Sequence, residues 1–253
     1  MDLERSCALV TGAASGLGEG AARRLAAAGI HVVAFDRNGD AVRQLAEEIE
    51  GTPVIGDVVD PDDCQRAVDR TRGEYPLRIV VNCAGKAWGE RVVGAGGRVH
   101  QLDSFDAVLR LNVIGTFNVL CKAAAEMASR EPTADGERGV IVNTASVAAF
   151  DGQIGQIAYS ASKGAVVAMT LPSARDLAPV GIRVVAIAPG TFDTPLLSGL
   201  PEAVRTGLSR EVLFPRRLGY PVEFGALVLH IASNSYLNGE VIRLDGGIRM
   251  PQK

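Results

Sequence analysis

The sequence holds four cysteines in 253 residues, and no two of them form a C-x-x-C pair. Cys7, Cys64, Cys83 and Cys121 are scattered, which indicates neither a zinc site nor a disulfide framework; reduced, mostly buried thiols are expected. Histidine is as scarce. His31, His100 and His230 stand in no triad context and no G-x-S-x-G elbow occurs, which excludes a serine hydrolase; His31 opens an apolar run and reads as structural. Basic charge is not in excess either. Twenty-six Lys and Arg against 29 Asp and Glu give a net charge of −3 without a basic stripe, so nucleic acid is set aside as a ligand. No apolar run approaches the ~18 residues of a membrane span, and the opening "MDLERS" has none of the features of a signal or transit peptide. A soluble cytoplasmic protein is expected.

What is present is alternation. With 47 % hydrophobic content the chain can bury one sizeable core, and a single domain over 1–253 is expected. Short β-branched runs at 7–11, 31–35, 53–56, 78–83, 139–145, 182–188 and 240–245 are separated by longer helical patterns. Near-continuous apolar strands imply a sheet covered on both faces. The alternation therefore predicts an α/β fold, a single-domain Rossmann-type doubly wound parallel sheet with helices on both faces and ligands beyond the carboxyl ends of the strands. Two segments break the rhythm, Lys86 to Leu102 and Gly190 to Gly219. The first is long for an α/β connection, and its "GAGG" leaves both a functional loop and disorder open.

The first run ends in Thr11-Gly12-Ala13-Ala14-Ser15-Gly16-Leu17-Gly18, directly before an alanine-rich helical pattern. Glycines at 12, 16 and 18 allow a tight turn, bring backbone N–H groups against a pyrophosphate and let the helix pack close to the strand. The G-x-x-x-G-x-G spacing departs from the general dinucleotide fingerprint, and a purely structural turn is the alternative reading. Asp36, closing the second run, stands where an acid accepts hydrogen bonds from an adenosine ribose and repels a 2′-phosphate; it can equally cap a turn, and Arg37 beside it can meet a phosphate. Since the glycine loop carries no basic residue, NAD is expected rather than NADP. Asp57 is a candidate acceptor for the adenine amino group, while Asp60 before Pro61 reads as a helix cap. Cys83, Ala84 and Gly85 put small residues where a backbone can lie along a cofactor, or where an ordinary turn needs them.

Tyr159 and Lys163 lie four residues apart in "AYSASKGA", on one face of a predicted helix. A phenol titrates near ~10 in water, and an adjacent ammonium favours its phenolate. Lowering that value by ~2 units takes only ~2.7 kcal/mol, which would make Tyr159 a usable base. Ser146, just past the fifth run, is placed to hold a carbonyl or alcohol oxygen, though a serine after a strand is also a common turn residue. Asn112 interrupts the apolar pattern "VLRLNVIGTF" and is a poor helix former, which points to a site role.

In this order and spacing the residues resemble the short-chain dehydrogenase/reductases, NAD(P)-dependent oxidoreductases of one domain. The resemblance runs over nearly the whole chain, with Cys83 as its one visible departure, where many members carry a second asparagine. It implies a catalytic set of Ser146, Tyr159, Lys163 and Asn112, with Lys163 also holding the nicotinamide ribose and Asn112 kinking its helix around a proton-relaying water. It further implies cofactor contacts at Ser15, Leu17, Val58 and Cys83, a match at Pro189, and Thr194 on the nicotinamide amide with Thr191 and Phe192 beside it. Within the family, the stretches 139–197 and 237–250 resemble type II 3-hydroxyacyl-CoA dehydrogenases, homotetramers whose activity extends to steroids and simple secondary alcohols. The resemblance thus implies oxidation of the 3-hydroxyl of an acyl-CoA, with another secondary alcohol, a steroid or small polyol, as the alternative and a non-catalytic cofactor-binding regulator as a third reading. Lys86, Arg91 and Arg98, and arginines 205, 210, 216 and 217, compete as contacts for coenzyme A phosphates or stand as solvated charge. Pro172, inside the Tyr159 helix, is expected to kink or break it.

Overall fold

In a computed structural model, residues 3, 5–198 and 202–252 are described, with the backbone alone described at 196, 198 and 203–205. Seven strands appear at the predicted places: β1 Cys7–Thr11, β2 His31–Asp36, β3 Thr52–Ile55, β4 Leu77–Asn82, β5 Gly139–Thr144, β6 Ile182–Pro189 and β7 Val241–Leu244. They form one parallel sheet in the order β3-β2-β1-β4-β5-β6-β7. The order reverses between β1 and β4, and the crevice outside the carboxyl ends at such a switch is where open α/β sheets bind ligands.

Side-chain alternation assigns each face its helices. Ala8 and Val10 of β1 join a core with α1 (Gly16–Ala26), α2 (Gly39–Glu48) and α9 (Pro221–Ser233), whereas Cys7 and Leu9 join one with α3 (Pro61–Asp69), α5 (Thr116–Ala128) and Ala174 of α6 (Ile157–Leu177). The strands are thus buried on both sides, as their unbroken apolar runs require. α1 and α9 touch through glycines: a Cβ on Gly20 would lie 2.5 Å from the Pro221 carbonyl oxygen, and one on Gly225 2.5 Å from the Gly20 oxygen. Asp60 caps α3 as expected, its Oδ1 accepting the N–H groups of Asp62 and Asp63 at 2.8 and 3.0 Å. His31 reads as structural, its Nε2 lying 3.0 Å from the Thr52 hydroxyl.

Four expectations are corrected or made definite. α6 is not broken at Pro172; it is helical throughout, because one missing N–H is outweighed by the packing of the helix on the sheet. Residues 86–101, for which a functional loop and disorder both stood open, form a hairpin with an antiparallel Val93–Val99 bridge. Of the thiols expected to be mostly buried, Cys7 and Cys64 are buried, Cys83 is half-buried and Cys121 is exposed. Finally, α4 (Leu102–Leu109), a π-helical turn (Arg110–Gly115) and α5 form one continuous helical run of 27 residues. Among the described residues it is the one helix long and apolar enough, by length and composition, to cross a membrane, with 44 % of its apolar window buried inside the fold. The sequence hides this run because the irregular turn shifts its periodicity midway. The remaining short helices are α7 (Pro195–Ser198) and α8 (Glu202–Glu211).

Candidate active site

A cleft of about 630 Å³ opens along the carboxyl edge of the sheet. Every predicted site residue except Asn112 lines it. On one side the chain leaves β1 and turns at Gly12 (φ 63°) and Gly16 (φ 56°) into the first turn of α1. A Cβ on Gly12 would stand 2.7 Å from the Ala84 nitrogen, and one on Gly18 2.1 Å from the Gly12 oxygen, so these positions admit no side chain. The glycine loop is therefore pressed against both its own helix and the Cys83-Ala84-Gly85 turn. That turn is held by Thr11, whose hydroxyl oxygen accepts the N–H groups of both Cys83 and Ala84 at 3.1 Å.

Asp36 forms the turn that one of its two readings predicts and also lines the cleft. Its Oδ1 accepts the Asn38 N–H at 2.9 Å, an Asx turn, while Oδ2 accepts the Ala14 N–H at 3.0 Å and ties β2 to the glycine loop. The carboxylate thereby lines the cleft, with Arg37 next to it. Asp57 also lines the cleft and turns one oxygen inward, Oδ1 accepting the Val59 N–H at 3.0 Å. Val58 packs behind it. At the other end Pro189, Thr191, Phe192 and Thr194 contribute their stretch of wall, and the Thr191 Oγ1 is buried with no hydrogen-bond partner among the described residues. A side-chain-free glycine cradle, an acid in the cleft wall and an orphaned hydroxyl fit a dinucleotide, in a volume typical of cofactor sites.

The catalytic candidates meet across the cleft from the glycine loop. Ser146 follows β5 and caps a short 3₁₀ turn, its Oγ accepting the Ala148 N–H at 3.1 Å; its hydroxyl stands beside the Tyr159 phenol and favours its ionised form. Tyr159 and Lys163 lie one turn apart on α6, the lysine Nζ 5.9 Å from the phenol ring centre. The two heads do not meet directly, because the ammonium donates to the Thr144 carbonyl at 2.7 Å. Burial pushes the Lys163 ammonium down to about 8. It also raises the Tyr159 phenol above its ordinary value, only partly opposed by the Ser146 hydroxyl. The depression expected from an adjacent lysine is thus not supplied by the chain, since Lys163 spends its charge on Thr144 and desolvation of the ring outweighs the rest. Cys83 is likewise shifted up by burial, to about 11, so the one departure from the family pattern is an inert thiol in the cleft wall.

Asn112 works from behind. It sits fully buried in the π-helical turn, where its Oδ1 accepts the Lys86 N–H and its Nδ2 donates to the Lys86 carbonyl, each at 2.9 Å. The same Nδ2 reaches the Ser162 hydroxyl at 2.9 Å, and that hydroxyl donates to the Tyr159 carbonyl at 2.7 Å. The helix irregularity expected at Asn112 is present as a π turn, and its side chain clamps Lys86 instead of lining the cleft. Gly85 completes the contact: a Cβ there would lie 3.0 Å from Asn112 Oδ1 and 3.6 Å from Lys163 Nζ.

Sequence reasoning missed Gln153, Gln156 and Met250, which line the cleft near Tyr159, and gave Thr11 no role. Of the basic residues proposed for phosphate contacts, Lys86 lines the cleft; Arg91, Arg98, Arg210 and Arg216 do not. Arg217 is committed to Glu223 in a bidentate pair at 2.8 Å, and the Arg205 side chain lies outside the described residues. No cluster of metal-ligating side chains occurs among the described residues.

The family described as short chain dehydrogenase matches residues 6–205. A curated relative, the 3-hydroxyacyl-CoA dehydrogenase type-2 of Homo sapiens, is 50 % identical over 247 residues, 96 % of this chain and 95 % of that protein. The crystal structure of 3-hydroxyacyl-CoA dehydrogenase type-2 from Mycobacterium avium superposes with a TM-score of 0.96 at 38 % identity, covering 99 % of this chain and 98 % of the other. The 3-ketoacyl-(acyl-carrier-protein) reductase of Brucella melitensis, solved in complex with NADH, superposes at a TM-score of 0.85 and 30 % identity, covering 98 % of this chain and all of that one. The chain belongs to the short-chain dehydrogenase family and is a nicotinamide-dependent oxidoreductase.

Proposed function

We propose that the protein interconverts a 3-hydroxyacyl-CoA and the corresponding 3-ketoacyl-CoA with NAD as its cofactor. The observation that carries the reaction is the convergence of Ser146, Tyr159 and Lys163 on one cleft wall with the glycine loop in the same cleft, Lys163 being anchored one helical turn from the tyrosine. The choice of substrate is supported by the 50 % identity to a relative of that name over nearly its full length. The choice of NAD is supported by Asp36, whose carboxylate would repel a 2′-phosphate at the adenosine end, and by the absence of a basic residue within the loop 12–18.

The cofactor would lie with its pyrophosphate on the Gly12 to Gly18 loop, its adenosine ribose at Asp36, its adenine by Asp57 and Val58, and its nicotinamide by Thr191, Phe192 and Thr194. The chemistry it supplies is hydride acceptance, or hydride donation in the reverse direction. Ser146 holds the substrate oxygen beside the Tyr159 phenol. In oxidation the phenolate of Tyr159 takes the proton of the 3-hydroxyl as the C–H bond breaks; in reduction the neutral phenol returns it to the new alkoxide. Lys163, fixed by Thr144 one helical turn from the phenol, would donate to the hydroxyls of the nicotinamide ribose. Because burial favours the neutral phenol, oxidation is the direction that gains from rising pH. An NAD-coupled screen of acyl-CoA, steroid and polyol substrates tests the assignment: the highest kcat/KM is expected on a 3-hydroxyacyl-CoA, and a preference for either other class would replace the substrate.

A further inference from the structure

Outside the groups given a role above, one carboxylate gathers partners from several segments. Glu90 sits in the hairpin between β4 and α4. Its Oε1 accepts the N–H of Gln101, the cap of α4, at 2.9 Å, and its Oε2 accepts the indole N–H of Trp88 at 3.1 Å. The Ser104 side chain stands beside the same carboxylate, and His100 Nδ1 lies 3.7 Å from Oε2. These donors, the Gln101 N–H first, hold the carboxyl below its usual range, so it is a stable anion throughout neutral pH.

The main chain of Glu90 looks the other way. Its N–H donates to the carbonyl of Gly155 at 2.7 Å. Gly155, at φ 90°, belongs to the irregular stretch just before the Tyr159 helix, and that stretch carries Gln153 and Gln156, two amides in the cleft wall. The amides brace one another: the Gln153 N–H donates to Gln156 Oε1 at 3.1 Å, and Gln156 Nε2 to Gln153 Oε1 at 3.3 Å. On its other flank the stretch is tied by the Ile154 N–H to the Gln252 carbonyl at 3.0 Å. Side chain and main chain of one residue thus rivet two segments that nothing else in the hairpin's hydrogen bonding joins so directly.

We propose that Glu90 is a positioning residue for the substrate: its carboxylate fixes the base of the hairpin, its N–H fixes the Gly155 carbonyl, and Gln153 and Gln156 are thereby held against the substrate side of the cleft. The proposal rests on the dehydrogenase reading above. Glu90 itself does not line the cleft. Its effect reaches the substrate only through the two glutamines, on the wall away from the glycine loop. Loss of the carboxylate therefore weakens substrate binding selectively, leaving NAD binding and the proton transfer at Tyr159 in place.

The test uses the full chain with Glu90→Ala and, as a milder variant that keeps the carboxylate, Trp88→Phe. For Glu90→Ala, KM for 3-hydroxybutyryl-CoA is expected to rise about tenfold, the weight of one charge-assisted hydrogen bond, while kcat and KM for NAD stay within about twofold. Hydrogen exchange of the 152–156 amides, measured without substrate, is expected to quicken in the same variant. Trp88→Phe should show a smaller change in the same direction, and it carries the test if Glu90→Ala does not fold. An unchanged KM, a parallel loss of kcat and NAD affinity, or unchanged exchange at 152–156 would each overturn the proposal. If the wild type does not turn over 3-hydroxybutyryl-CoA, the substrate reading fails; the exchange measurement then decides the rivet alone.

Discussion

The ammonium of Lys163 lies 2.7 Å from the Thr144 carbonyl oxygen, which binds the second turn of α6 to the end of β5. Two residues beyond Thr144 stands Ser146, so one strand end sets the place of both the lysine and the serine while the helix sets the tyrosine between them. The anchoring has a thermodynamic signature. With its folded value near 8 against 10.5 for a free lysine, Lys163 is a charge held against desolvation. Between those two values the unfolded chain binds a proton that the folded chain has released, so this group adds stability as pH rises through the window. Thermal melts from pH 7 to 10.5 should show the wild type gaining on Lys163→Met across it, and a constant difference would contradict this placement.

Asp36 links cofactor choice to loop geometry. Asp36→Ala removes repulsion of a 2′-phosphate together with the acceptor of the Ala14 N–H. The NAD over NADP preference in kcat/KM should narrow by about tenfold or more, the scale of one hydrogen bond to a charged group. Equal efficiency of the wild type with both cofactors would remove the assignment to NAD.

Thr11 offers a sharper test of the turn that faces the glycine loop. Thr11→Val keeps the volume of the side chain and leaves the Cys83 and Ala84 N–H groups without their shared acceptor. A loss of about 1–3 kcal/mol is expected, seen in denaturant midpoints, with weaker NAD binding by calorimetry. Unaltered NAD affinity would show that the turn does not shape the cofactor's bed.

What could be read from the chain beforehand was what lies close in sequence. The glycine loop, the Tyr159 to Lys163 spacing and the seven strands are local patterns, and each strand was placed to within a residue or so of its observed bounds. Thr11 and Glu90 are tertiary facts: their partners lie 72 and 65 positions away at Cys83 and Gly155, and no periodicity reports them. The sign of the Tyr159 shift was misjudged for a related reason. Spacing puts the lysine on the right face of α6, but it says nothing of Thr144, which takes up the ammonium, or of the burial that raises the phenol.

Assembly is expected to cover the exposed apolar side chains of the long helices. Ile114 and Phe117, 52 % and 50 % exposed, and Ile157 and Leu171, 48 % and 45 % exposed, leave apolar surface on the α5 and α6 side of the molecule. The protein should run as a tetramer in light scattering at micromolar concentration, and Phe117→Asp should shift it towards smaller species. A wild-type monomer would contradict the expectation.

The central claim is that Tyr159 is the acid–base residue. Tyr159→Phe keeps the ring that fills its place on α6 and removes only the hydroxyl that meets Ser146. With 3-hydroxybutyryl-CoA and NAD, kcat should fall by ~10²–10⁴-fold, while NAD affinity measured by calorimetry stays at the wild-type value. In the wild type the oxidation rate should climb with pH as the phenol ionises. Near-normal turnover by Tyr159→Phe would mean that the proton leaves by another group, and the mechanism set out here would be wrong.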